Sequence, residues 1–325
     1  MGKARTLDRT DAMLTFLVII WGTAFPGVKA LLQVLDPYQL TWFRYAPFPL
    51  LYGAFLLLRR SEAFRRVSGR DWVLMALLGT VGVIGYHFPL NWGLHDTSDG
   101  VQVTAATGAI LVATTPLWTL LISTLAGRER WHGATTVGSL VAFAGVAVVV
   151  FFGTGHAEFT AARKTLVILL APLSWALYSI YTRPLIHRYG GLFVTGVTLS
   201  LGTFTLLPLA FTYGAAPLRA LDAGGWAWLA FLALLSTALG YAMWNQALKL
   251  RSASAVSAYV YFNPVVATVV GVLFFGERVT PFFLLGSALV LGGVILVNRA
   301  RQAAAAIAPD PVPTVAKAPA PTEKP

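Results

Sequence analysis

Nine side chains able to grip a small molecule lie inside otherwise apolar stretches of this sequence: Trp21, Lys29, Arg44, His87, Asn91, Trp118, Trp175, Tyr259 and Asn263. Arg44 is the strongest of them, because a planar guanidinium holds a carboxylate through paired hydrogen bonds. It can equally bind backbone carbonyls at a helix end. Lys29 falls about two turns inside its helix and either meets a substrate or extends its ammonium back to the water interface. His87 and Asn91 are four apart and share one helical face, as do Tyr259 and Asn263. Asn263 precedes Pro264, whose missing N–H and ring clash release the carbonyl one turn earlier. That carbonyl can meet a ligand or be satisfied by a neighbouring helix. His87 is either a titratable coupling residue or a hydrogen-bonded structural one. Trp21, Trp118 and Trp175 fall near the middle of their stretches, where aromatic rings pack the core or stack on an apolar cargo.

What is missing narrows the chemistry further. All thirteen acidic residues lie in expected loops, at helix ends or in the C-terminal tail, so no carboxylate is available at mid-depth to exchange a proton for a cation. The five histidines, His87, His95, His132, His156 and His187, are scattered over separate segments. An intramembrane enzyme would need paired acids, a histidine cluster or an activated serine at one place. No GxxxxGK[ST] loop occurs, so ATP drive within this chain is unsupported. There is no cysteine, which removes disulfides and thiolate chemistry. Binding and release of a small molecule is left, with no cofactor or metal called for.

These side chains must be positioned by membrane helices. Hydrophobic residues make up 57% of the chain and charged residues 11%, with a mean hydropathy of +0.69. That composition belongs to an integral membrane protein. The net charge of +11 would point to nucleic acid in a soluble protein, but here the basic residues flank apolar spans. Hydropathy and helix punctuation predict ten transmembrane helices: residues 12–35, 38–58, 71–94, 101–126, 133–152, 165–187, 192–213, 225–249, 254–275 and 281–298. Trp42, Trp72, Trp92, Trp131, Trp226 and Trp228 fall near helix ends, as interfacial aromatics do. Gly79, Gly82 and Gly85, Gly138 and Ala142, and Ala288 and Gly292 are spaced for close helix contact.

The chain is also duplicated. Trp21 and Trp175, Lys29 and Arg183, and Asn91 and Asn245 lie 154 positions apart; Pro116 and Pro264, Glu129 and Glu277, and Gly145 and Gly293 lie 148 apart. The change of six places one length difference between Leu94 and Pro116, where the first half reads HDTSDGVQV and the second KLRSAS. With the N-terminus inside, sixteen basic residues face the cytoplasm against five outside, so both termini are expected there. Five helices per half then invert the second repeat relative to the first. The divisions are a cytoplasmic leader at 1–11, a first repeat at 12–153, an external linker at 154–164, a second repeat at 165–298 and a disordered tail at 299–325. The leader lacks a small-residue cleavage site and reads as a signal anchor. With both halves in one chain, a monomer suffices.

The order and spacing of several short motifs resemble the EamA family of the drug/metabolite transporter superfamily. They are Trp21-Gly22-Thr23-Ala24-Phe25 with Lys29, Arg44-Tyr45, Ala247-Leu248 with Ser252-Ala253, Pro264, and Gly276-Glu277-Arg278, and the likeness covers nearly all of residues 12–298. It implies ten helices in two inverted repeats of an all-α polytopic membrane protein, a cavity between the halves, and export or exchange of small metabolites, often amino acids. The six extra residues around Asp96 to Val101 depart from the pattern at the external mouth. Aromatic or hydrophobic amino acids are the leading cargo; nucleobases, nucleosides or phosphorylated metabolites are the alternative, since a base stacks on an aromatic ring equally well. A membrane scaffold that moves nothing is the remaining alternative. An Arg- and Ala-rich composition is associated with a bacterial cytoplasmic (inner) membrane.

Overall fold

The computed structural model describes residues 8–58, 63–96, 103–126, 133–152, 159–208, 216–251 and 256–307. Among these residues every regular element is helical. The main elements are α1 (Arg9–Leu31), α2 (Pro37–Tyr45), α3 (Phe48–Leu58), α4 (Gly69–Leu94), α5 (Ala105–Leu125), α6 (Gly133–Phe152), α7 (Ala162–Tyr189), α8 (Gly191–Phe204), α9 (Ala223–Leu250), α10 (Tyr259–Phe275) and α11 (Pro281–Ile307). Five of them, α1, α4, α5, α7 and α9, are long and apolar enough to cross a membrane, and shorter apolar helices accompany them.

Local chemistry sets the starts. Asp8 caps α1 by accepting from the Thr10 and Asp11 N–H groups, while the Asp11 carboxylate accepts from the Asp8 N–H. Asp36 and Gln39 form the same reciprocal box at α2, with Pro37 in the first turn where its missing N–H costs nothing. The expected helix over 38–58 is broken at Ala46 and Pro47, giving α2 and α3. Both α4 and α9 carry a widened π segment, Val81–Gly85 and Phe231–Leu239. Shifted by 154, the first coincides with the end of the second, so the irregularity is repeated in both halves. Wider turns displace backbone carbonyls from the helical ladder, and side chains use them here: Tyr241 donates to the Gly82 carbonyl and Trp21 to the Ser236 carbonyl.

The duplication reappears as contacts. The Asn91 amide donates to the Thr41 hydroxyl at 2.9 Å, and the Asn245 amide to the Thr195 hydroxyl at 2.6 Å. Both members of the second pair are 154 residues beyond the first. α6 and α11 pack backbone to backbone: a Cβ at Gly145 would lie 2.5 Å from the Val290 nitrogen, and one at Gly293 2.4 Å from the Ala142 nitrogen. Gly79 meets α8 as closely, 2.0 Å from the Thr198 carbonyl. Gly292, by contrast, faces open space, and its neighbour Gly293 makes the contact.

Two boundaries differ from expectation. The linker assigned to 154–164 is already helical from Phe159, and the last helix continues to Ile307, into the residues assigned to the tail. The run Ala303 to Ala306 supplies the reason, alanine being the best helix former. The rest of the tail, and all but Asp96 of the six extra residues placed around Asp96 to Val101, lie outside the described residues, as does Glu129, the repeat partner of Glu277.

Candidate functional site

Where α1, α2, α4, α5, α7, α9 and α10 converge, they line a partly open cleft with mostly apolar walls and a few convergent polar groups. α1 contributes Trp21, Ala24, Phe25 and Val28; α4 contributes Tyr86, His87 and Leu90. Arg44 enters from α2, Val112 from α5, Trp175 from α7, Ser236 and Tyr241 from α9, and Val260 and Asn263 from α10.

Arg44 is buried, 4% exposed. Its Nε donates to the Thr237 hydroxyl at 2.6 Å and its Nη2 to the Ser236 hydroxyl at 3.0 Å. Neither partner carries charge, and among the described residues no carboxylate forms an ion pair with Arg44. A guanidinium in such a place is costly unless an anion joins it.

His87 lies in the cleft wall between the rings of Tyr86 and Tyr45, at 4.6 and 5.1 Å. Its Nε2 is 3.4 Å from the Tyr241 hydroxyl. His87 and Tyr241 are themselves repeat equivalents, 154 apart. So are Trp21 and Trp175, whose rings meet edge to face at 5.4 Å, with Trp244 packed on both. The Trp21 indole N–H donates to the Ser236 carbonyl at 2.9 Å, which fixes its plane at the cleft wall.

Five of the nine sequence candidates therefore come together: Trp21, Arg44, His87, Trp175 and Asn263. The other four lie elsewhere. Lys29 does not line the cleft; its ammonium donates to the Val103 carbonyl at 3.0 Å and lies 3.9 Å from the Glu277 carboxylate. Glu277 also accepts from the Ala105 N–H at 2.7 Å, so α1, α10 and the start of α5 are clamped together. Asn91 is drawn to Thr41 on α2. Trp118 packs beside Phe143 on α6, 6.4 Å away.

Tyr259 does not share a face with Asn263. Residues Ala258–Phe262 form a 3₁₀ turn, whose tighter winding rotates the two side chains apart. The Tyr259 hydroxyl donates to Asp11 at the opposite end of α1 from Lys29. There Arg251 donates to Asp11 at 2.5 Å and to both oxygens of Asp8 at 2.8 Å. The Asp11 N–H and the Arg251 guanidinium hold the Asp8 carboxyl below the usual carboxylate range, and the Asp11 carboxylate pushes Arg251 upward. Asp71, accepting from Arg188 at 2.5 Å, is a similar junction. The carboxylates expected at helix ends are thus there; Asp11 and Asp71 are buried, Glu277 is nearly so, and all three are paired. Among the described residues, no acidic one lines the cleft.

Tyr86, Ser236, Thr237 and Tyr241 were not among the candidates. The repeat could have found them: Tyr241 stands where the first half has His87, and Ser236-Thr237 replace Gly82-Val83. The two hydroxyls break the duplication where Arg44, itself replaced by Thr198 in the second half, needs partners.

Comparison with known proteins agrees with this arrangement. The sequence model of the EamA-like transporter family matches residues 9–151 and 163–299. A protein of Streptantibioticus cattleyicolor described as a probable terminal-alkyne amino-acid exporter is 33% identical over 90% of this chain and 94% of its own. An uncharacterised transporter of Bacillus subtilis, YdfC, is 30% identical over 86% of this chain and 88% of its own. One crystal structure, 18% identical, superposes with a TM-score of 0.63 over 91% of this chain and 99% of the other, which shows a shared fold.

Proposed function

The chain belongs to the EamA-like transporter family, and on that footing we propose that it is a secondary transporter exporting or exchanging amino acids by alternating access. The observation that carries this is Arg44: a buried guanidinium on the cleft wall, held by two neutral hydroxyls and lacking an anion among the described residues. A substrate carboxylate supplies the missing charge through the remaining guanidinium donors. Trp21, Trp175 and Tyr86 then enclose an apolar or aromatic side chain. The exporter from Streptantibioticus cattleyicolor supports the amino-acid reading by its description.

Nucleosides would also stack on these rings. A phosphate, however, brings up to two negative charges, and Arg44 is the one Arg or Lys on the cleft wall among the described residues. A carboxylate matches that single charge. In this reading α2 and α3 form one bent span, giving ten helices in two inverted repeats, with the cleft between them and both termini in the cytoplasm. The Lys29 end then faces outward from a bacterial inner membrane.

Counterflow into proteoliposomes tests the proposal. With the vesicles preloaded with the twenty amino acids, labelled aromatic or aliphatic ones should enter above the level of empty liposomes. No flux of any amino acid through folded protein would defeat the reading and turn the search to nucleosides and phosphorylated metabolites.

A further inference from the structure

Two acceptors on the cleft wall lack hydrogens. Asn263 and His87 are each 2% exposed, and among the described residues neither Asn263 Oδ1 nor His87 Nδ1 has a hydrogen-bond partner. The Tyr241 hydroxyl lies 3.1 Å from the Gly82 carbonyl, which can only accept, 3.2 Å from the Tyr45 hydroxyl and 3.4 Å from Nε2. In the tautomer whose Nε2 donates to Tyr241 while Tyr241 donates to Gly82, Nδ1 presents a bare lone pair. Buried acceptors of this kind are costly to leave unmade, and both line the cleft that Arg44 enters.

We propose that Asn263 Oδ1 and His87 Nδ1 form an ammonium subsite, so that the transporter selects a zwitterion carrying both a carboxylate and a free amino group. The inference rests on the amino-acid reading above and extends it: Arg44 takes the carboxylate and the two neutral acceptors take the ammonium hydrogens, with Trp175 and Tyr86 lining the same cleft. The zwitterion is itself net neutral, so its entry adds no charge to the cleft: its carboxylate meets Arg44 and its ammonium meets the two neutral acceptors. A carboxylate lacking the amino group would leave both acceptors buried and unmade, and sites built around such acceptors reject analogues that lack the donor.

The test compares amino acids with their deaminated counterparts. Phenylalanine and leucine are set against 3-phenylpropionate and 4-methylpentanoate, as competitors of labelled phenylalanine or leucine counterflow and as ligands of the purified full chain by calorimetry. For the wild-type protein the deaminated acids should be weaker by about tenfold or more. Asn263→Leu should shrink that gap to roughly threefold by weakening the amino acids alone, and His87→Leu should act in the same direction. Equal binding of amino acids and deaminated acids to the wild type overturns the ammonium subsite while leaving carboxylate transport standing. Equal weakening of both classes by Asn263→Leu overturns it as well. If neither class binds folded wild-type protein, the amino-acid reading falls and the subsite with it. The wild-type comparison decides the matter even where a variant does not fold.

Discussion

At one end of α1 the Lys29 ammonium lies 3.9 Å from Glu277, and at the other Arg251 holds Asp8 and Asp11; between these ends Arg44 donates to the hydroxyls of Ser236 and Thr237 and lies over the Tyr45 ring, with no carboxylate partner among the described residues. The three sites contain similar chemistry and differ in completeness. A cation whose carboxylate is supplied by the fold ties elements together, and changing it should cost stability. On the reading proposed above, a buried cation with no carboxylate among the described residues awaits a ligand, and changing it should cost binding. The presence of a partner is then what separates the two roles.

That contrast can be broken most decisively at the cleft. Arg44→Gln should reduce counterflow about 100-fold or more while the yield of folded protein is kept, because a charge-assisted contact with the cargo is lost and no internal ion pair is disturbed. Normal transport by this variant would remove Arg44 from the site. Lys29→Met should do the reverse. It leaves the nearly buried Glu277 carboxylate uncompensated and should lower unfolding stability by about 1–3 kcal/mol, with substrate affinity in detergent unchanged. A selective loss of affinity would erase the distinction between the two regions. Trp21→Phe keeps an aromatic wall but removes the hydrogen bond to the Ser236 carbonyl, so calorimetry should register a loss of about 1 kcal/mol or less in substrate binding.

The smallest effect is expected at the exposed part of the Arg251 junction. The Asp8 carboxyl is held below its ordinary pKa in the folded protein, so its contribution is complete above the unfolded value of about 3.9 and is lost as the pH falls through the lower folded value. Asp8→Asn should therefore shift the unfolding midpoint slightly at neutral pH. The difference from wild type should hold at pH 5 and vanish only in stronger acid.

Composition and periodicity made the apolar helices legible, and constant offsets exposed the duplication before any contact was known. Five of the residues lining the cleft are picked out by a simple rule, polar or aromatic groups in apolar spans. The rule failed at Lys29 and Tyr259 because it ignores partners: Glu277 and Asp11 lie 248 residues away from each, across the fold, and their carboxylates decide what the two side chains do. It failed at Ser236 and Thr237 because hydroxyls in a helix usually bond to their own backbone. Only the approach of α2 shows that these two hold a guanidinium. The 3₁₀ turn before Asn263 was hidden too, since a four-residue spacing reads as one face only if the winding is regular.

The most direct test of the central claim is to ask whether Arg44 waits for a carboxylate. Binding of phenylalanine to purified protein should be measured beside phenylalaninamide, which keeps the ammonium and the ring but has no negative charge. The account predicts saturable binding of the acid, little or none of the amide, and loss of this discrimination in Arg44→Gln. Equal binding of acid and amide to the wild type would contradict it.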